Sequence, residues 1–425
     1  MTEVGRAMHD LMSSLYPICR SITGEGFRQT LDLLGRHIDL DVHEVPSGTP
    51  VFDWTVPPEW NIRDAYVKDA TGARVIDFQA CNLHVVSYSV PVRRIMSLSE
   101  LRPHLHTLPS HPRWIPYRTS YYAESWGFCL SHEQLQRLED GSYEVCIDST
   151  LAGGHLTYAE HRVPGRTDDE VLISCHTCHP SLANDNLSGV AVATFLAQRL
   201  RTVSPRYSYR FLFIPGTIGS ITWLASHQSE ARKITHGLVL ACLGDPGSLT
   251  YKQSRRGDAE IDRVMRHVLQ RSGRPHQITE FSPYGYDERQ YCSPGFDLPV
   301  GCLNRTPHGQ FAEYHTSADN LDFVRPEFLE DSLAICWQAI TLLEANLRYQ
   351  NLNPNCEPQL GKRGLYGALG GRSDTQERQM AMLWVLNLSD GSHSLLDIAD
   401  RSTLPFELVA ETAHTLRDAG LLTTV

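Results

Sequence analysis

The chain has 425 residues, more than one hydrophobic core usually holds, so two or three domains are expected. Hydrophobic residues make up 41% and aromatic residues 9%, which excludes a disordered chain. The formal net charge of −11 argues against a general nucleic-acid binder.

In chain order, residues 5–40 read as two helices separated by a Gly-rich break, Thr23-Gly-Glu-Gly26. From Val51 to about His161 the pattern changes to short alternating runs punctuated by Pro, Gly and Asn. Val51-Phe-Asp-Trp-Thr-Val56, Asn82-Leu-His-Val-Val-Ser-Tyr88 and Gly141-Ser-Tyr-Glu-Val-Cys-Ile147 are examples, and they predict a β-rich module. Its Trp and Tyr residues, Trp54, Trp60, Tyr117, Tyr121, Tyr122 and Trp126, are expected mainly in its core, with a pocket wall as the second reading. From about Asp168, strands and helices alternate, which predicts a mostly parallel or mixed sheet flanked by helices. Val171-Leu-Ile173, Arg210-Phe-Leu-Phe-Ile214 and Gly237-Leu-Val-Leu-Ala-Cys-Leu243 are its buried strands, and Val190 to Leu200 is a buried helix. Glu327 to Leu347 reads as a long amphipathic helix, and Asn351 to Gly371 as a linker.

The last residues show three helical runs and a short final strand, a winged-helix pattern. Its recognition-helix candidate carries Glu407, Glu411 and Asp418 against Arg417 alone. A phosphate backbone would repel that face, so packing or dimerisation is expected. The resulting division is an α/β core over 1–48 and 162–350, an inserted β-rich domain over 49–161, and a winged-helix-like domain over 372–425.

No apolar run approaches the ~20 residues of a membrane span, and no basic-then-apolar leader is visible. The eleven cysteines are odd in number and scattered. Those at Cys175, Cys178, Cys242 and Cys302 lie in apolar or motif contexts, which suits a reducing cytoplasm. The expectation is therefore a cytoplasmic protein with neither membrane nor nucleic-acid partner; the oligomeric state is left open, a homo-oligomer included.

Chemistry concentrates where strands end. His176 and Asp185 follow the strand at Val171, Asp245 follows the strand at Gly237, and His315 sits in Glu313-Tyr-His-Thr-Ser-Ala-Asp319. Each alone has an ordinary reading as a hydrogen-bonded histidine, a turn former or a cap. Together they are four metal-ligand types in loops that one sheet gathers at its edge, and imidazole with carboxylate suits zinc. His179, three residues after His176, is expected to support a ligand or to be one itself. Cys175-His-Thr-Cys-His179 also matches covalent haem attachment, but that chemistry needs export. A redox Cys-x-x-Cys is the other rival, and the intervening residues give it no support.

These residues resemble the aminopeptidase-like zinc peptidase family, related to two-zinc leucyl aminopeptidases and glutamate carboxypeptidases. Ala183-Asn-Asp-Asn-Leu-Ser-Gly189 is similar to that family's metal-bridging loop. Tyr284-Gly-Tyr-Asp-Glu-Arg-Gln-Tyr-Cys292 and Tyr314-His-Thr-Ser-Ala-Asp-Asn320 are similar to its later core motifs. Val51 to Trp60, Asn82 to Ser89 and Ser120 to Cys129 resemble the β insert of a subgroup that also carries a C-terminal winged helix.

The resemblance implies a zinc-peptidase (phosphorylase/hydrolase-like) α/β fold and one or two zinc ions. It implies His176, Asp185 and Asp245 on one ion, with Asp185 shared and His315 on a second. It implies cleavage of an amide or peptide bond in a small aminoacyl or peptidyl substrate by a metal-bound hydroxide, with a Glu as base. That Glu belongs in the loop after Ile214, which here reads Pro215-Gly-Thr-Ile-Gly-Ser220, and Gly216 stands in its place. Asp287, Glu288 and Glu313 are the candidates to replace it, with Glu288 preferred for its length. The alternative is an altered or inactive peptidase-like protein that binds a small peptide-like ligand.

Overall fold

In the computed structural model, which describes residues 3–365 and 375–425, helix α1 (Glu3–Leu15) turns Met8, Leu11, Met12 and Leu15 inward. That spacing is one face of a helix. Helix α2 (Glu25–Leu34) follows and buries Phe27, Leu31 and Leu34. Strand β1 (Asp41–Pro46) then enters the main sheet.

The chain next leaves for the insert. Strands β2 (Glu59–Lys68), β3 (Arg74–Asp77), β4 (Val92–Ser97) and β5 (Ser142–Ala152) form an antiparallel sheet in the order β3-β2-β5-β4. Trp60, Val67, Val145 and Ile147 are buried. The indole N–H of Trp60 donates to the Ser89 carbonyl at 2.9 Å, so this aromatic is core, as expected. Trp54 and Tyr122 are exposed and touch each other with centroids 5.4 Å apart.

Strand β6 (His155–Val163) pairs with β1 in the main sheet. Its first seven residues were expected in the insert. The alternation of β5 continues through Gly153-Gly154 into β6, so no composition shift marks the return. Strands β7 (Glu170–His176), β8 (Ser208–Ile214), β9 (Ile234–Leu240), β10 (Leu249–Lys252), β11 (His276–Thr279) and β12 (Val300–Asn304) complete an eight-stranded mixed sheet in the order β1-β6-β8-β7-β9-β12-β10-β11. The central four, β8-β7-β9-β12, are parallel. Every residue of β7 is buried, as a strand covered on both faces requires. Helices α3 (Gly189–Leu200), α4 (Ile218–Ser226), α5 (Glu260–Arg271) and α6 (Pro326–Ala345) belong to this α/β layer. Among the described residues no helix is long and apolar enough to cross a membrane.

The chain divides into two compact units, 1–336 and 337–425, with the break inside α6. In the second unit β13 (Arg348–Asn351) pairs with β14 (Asp390–Ser394) and β15 (Leu422–Thr424). This small sheet accompanies helices α7 (Thr375–Leu388), α8 (Leu395–Ser402) and α9 (Phe406–Asp418). Leu395, Leu396, Ile398, Val409, Ala413 and Leu416 are its core. The Ser394 hydroxyl accepts from the Asp397 backbone N–H, and the Asp397 side chain caps Ser394 in return, starting α8. The winged-helix pattern is present. Its sheet begins upstream of the expected boundary at 372, because Arg-Tyr-Gln-Asn has no apolar alternation to announce a strand.

Candidate metal centre

Strand β7 delivers His176 at its C-terminal end, where open α/β sheets bind their ligands. The loop after it bends back, with Asp185 at φ −108° and Asn186 at φ −141°, outside the helical region. This sets Asp185 opposite His176, whose Nε2 lies 2.7 Å from Asp185 Oδ1. His315 Nε2 is 3.1 Å from Asp185 Oδ2. His179 Nδ1 is 3.3 Å from the same oxygen and 3.0 Å from the Asp185 carbonyl. Three imidazoles thus surround one fully buried carboxylate. One ligand atom each from His176, His179 and Asp185 falls within 4.8 Å of the others.

The supports are equally specific. Asp319 accepts from the backbone N–H of Asn184 at 2.6 Å and of Asp185 at 3.0 Å, fixing the loop that carries Asp185. His315 adopts φ 56°, a left-handed backbone uncommon outside glycine. Its carbonyl accepts from the Tyr117 N–H of the insert at 2.8 Å, and Ser317 N–H donates to the Ile115 carbonyl at 2.8 Å. The Tyr117 ring stands edge-on to His179 and His315, at 5.4 and 5.0 Å, and its hydroxyl meets that of Tyr121 at 2.8 Å. Tyr286 stacks on His176 at 4.9 Å, and its hydroxyl is 3.1 Å from Cys242 Sγ.

Burial, above all, pulls His176 and His315 below the ordinary imidazole value, so both are neutral donors at pH 7, as metal binding requires. Burial also opposes the charge on His179, but Asp185 outweighs it and the net shift is upward. For Asp185, burial would raise the pKa, and the neighbouring His179 and His176 hold it well below the carboxylate range. Nitrogen and carboxylate donors in this number suit zinc.

The remaining sequence candidates lie elsewhere. Asp245 does not join the group. The chain turns at Cys242, φ 51°, and the Asp245 oxygens accept from Thr306 Oγ1 at 2.5 Å, Gly247 N at 2.8 Å and Asn184 Nδ2 at 3.0 Å. It is a loop brace whose acceptors are taken. Glu288 pairs with Lys252 Nζ in a neighbouring cavity. Glu313 is half-buried, and its carbonyl accepts from the Thr316 N–H and hydroxyl.

Asp287 is different. It is fully buried and its Oδ1 accepts from Ser220 Oγ at 2.7 Å. Its Oδ2 has no hydrogen-bond partner among the described residues. A Cβ added at Gly216 would lie 3.6 Å from that oxygen and 3.0 Å from His176 Cβ. Asp287 therefore faces the space where Gly216 lacks a side chain. Burial pushes its carboxyl up to about 7, Ser220 opposing and Glu288 adding to the rise.

Tyr117, Tyr286 and Cys242 pack around the cluster without having been singled out as metal-site residues. Tyr117 carries the pocket-wall reading of the insert's aromatics, and Tyr286 lies in the motif Tyr284 to Cys292.

Residues 9–346 match the family model described as "Domain of unknown function (DUF4910)", and residues 347–424 match a winged helix-turn-helix model. A Clostridium acetobutylicum protein named "Putative polysaccharide biosynthesis protein with aminopeptidase-like domain" is 52% identical over 99% of this chain and 97% of its own. A crystal structure from the same organism, described as a "putative peptidase", superposes with a TM-score of 0.94 at 50% identity, covering 100% of this chain and 97% of that one. A zinc aminopeptidase from Bacillus subtilis gives a TM-score of 0.57 at 12% identity, over 79% of this chain and 94% of its own. A peptidase M28 precursor from Shewanella amazonensis gives 0.56 at 15%, over 80% and 95%. These distant likenesses show the fold, an M28-like aminopeptidase α/β sheet.

Proposed function

The chain belongs to the DUF4910 family, and on that premise we propose that it is a zinc-dependent hydrolase of an amide or peptide bond in a small substrate. The observation that carries this reading is the convergence of His176, His179 and His315 on buried Asp185. Those residues would hold zinc, which when bound polarises a carbonyl and brings the pKa of water to about 7. The donors assembled on one carboxylate, with Asp245 engaged elsewhere, favour one strong ion site.

The protein's own groups account for the rest. Asp287 Oδ2 takes up the proton lost by the attacking water and passes it to the leaving amine, so water and amide become acid and amine. Ser220 holds Oδ1 and keeps Oδ2 turned to the gap beside Gly216. Tyr117 and Tyr286 wall the cluster on two sides and limit water. Asp287 thus replaces the Glu that Gly216 lacks, in preference to Glu288.

The name of the Clostridium relative couples an aminopeptidase-like domain to polysaccharide biosynthesis. It favours a small substrate of carbohydrate assembly over a protein chain. All eleven cysteines are free, which supports a reducing, cytoplasmic setting. In the winged helix Arg417 pairs with Asp418 at 2.9 Å on the acidic α9, which supports packing or self-association over nucleic-acid binding.

Zinc analysis of purified wild type and D185A, with turnover on a panel of aminoacyl amides, tests the reading; wild type free of zinc would end it. The second reading, a ligand-binding protein without turnover, rests on Gly216. It fails if the wild type hydrolyses the panel, and gains if only G216E does.

A further inference from the structure

Next to the cluster, across Tyr286, lies a cavity of about 290 Å³. Fully buried Glu288 reaches into it and pairs through Oε1 with Lys252 Nζ. The same ammonium donates to the carbonyls of Ser282 at 3.3 Å and Tyr284 at 3.0 Å, so it is held in place from two sides besides the ion pair. Glu288 Oε2 has no hydrogen-bond partner among the described residues. A buried carboxylate oxygen without a donor is costly, and here the missing donor is one that a ligand can bring.

Lys252 decides which donor fits. The pair carries no net charge, so an ammonium gains little over a neutral hydroxyl. The other walls suit a hydroxylated ring. Tyr284, 71% exposed, offers an aromatic face at the rim, and His308 lies between it and Tyr286 at centroid distances of 5.3 and 5.0 Å. Gln310 adds a side-chain amide, which both donates and accepts, while the Asn304 amide beside it is held by the Ala241 carbonyl at 2.9 Å. The volume is at the small end of ligand pockets, room for one ring.

We infer that this cavity binds a neutral sugar ring, a part of the substrate whose amide extends past Tyr286 to the His176–Asp185 cluster. Only that last placement rests on the hydrolase reading.

The test titrates N-acetylglucosamine and glucosamine into the full-length protein and its Y284A, E288Q and D185A variants, with saturation-transfer NMR as the readout. N-acetylglucosamine is expected to bind saturably, glucosamine no tighter, and Y284A and E288Q to weaken binding about tenfold. D185A is expected to bind the sugar as the wild type does. Absence of saturable binding, or equal binding by wild type and Y284A, overturns the inference; the exposed Tyr284 makes a folding failure in that variant no escape. Amide turnover without sugar binding sinks the cavity's role alone. Sugar binding without turnover sinks the hydrolase reading alone.

Discussion

Strand β7 carries a buried charge cluster at each end, and the two are built on opposite plans. At its first residue Glu170 meets Arg210 of β8, with Nε and Nη2 donating at 2.6 and 2.8 Å. Arg210 Nη1 pairs with Glu160 of β6, and Trp223 Nε1 donates to Glu160 at 2.6 Å. Every charge there is answered by protein. At its last residue His176 joins two further imidazoles on one carboxylate, beside an Asp287 oxygen that nothing among the described residues answers. A closed buried network holds strands in register, whereas an open one is arranged for something brought from outside.

The comparison can be broken at either end. The largest effect is expected from Asp185→Ala, which should remove bound zinc and lower amide turnover by more than the roughly 10–100-fold typical of a supporting residue. Wild-type turnover in that variant would make the open end merely structural. Arg210→Met should act in the opposite currency. It leaves buried Glu160 with the Trp223 indole N–H and Glu170 with the half-exposed Arg162 and should cost about 3–5 kcal/mol of stability, read as a lowered thermal midpoint, with turnover per folded molecule unchanged.

Asp287→Asn should cut turnover by roughly 100-fold or more and erase the pH-rate limb near neutrality. It should also show a linkage effect. With its folded value raised to about 7, Asp287 contributes stability at acidic pH that is lost as pH rises through 7. The variant lacks that loss, so its thermal midpoint relative to wild type should climb between pH 4 and pH 8. A constant difference would mean that Asp287 does not titrate there. The smallest effect is expected from Tyr117→Phe. It loses the contact with Tyr121 but keeps the ring on the imidazoles, a cost of about 0.5–1.5 kcal/mol and less than about tenfold in turnover.

Much of this is legible in the sequence itself. The apolar run Val171-Leu-Ile173, three residues before His176, announced a central strand, and His176, Asp185 and His315 are brought together because sheet loops gather at one edge. What was not legible turns on single backbone angles. Asp245 follows its strand just as His176 does, yet the left-handed turn at Cys242 leads it to Thr306 and Asn184. Glu288 and Asp287 are neighbours in sequence, and one short helical turn sends the first to Lys252 and the second to Gly216. The winged helix was visible in its apolar helices, but its first strand, Arg348–Asn351, has no pattern of its own.

The paired backbones of Tyr117 and His315 have an architectural consequence. The insert is stitched to the loop that presents one of the three imidazoles, with Ile115 and Ser317 adding two more stitches. Lifting the insert would drag His315 from its mates and dismantle the cluster. The insert is thus a keystone as much as a doorway, and trimming it to widen access would disarm the centre it covers.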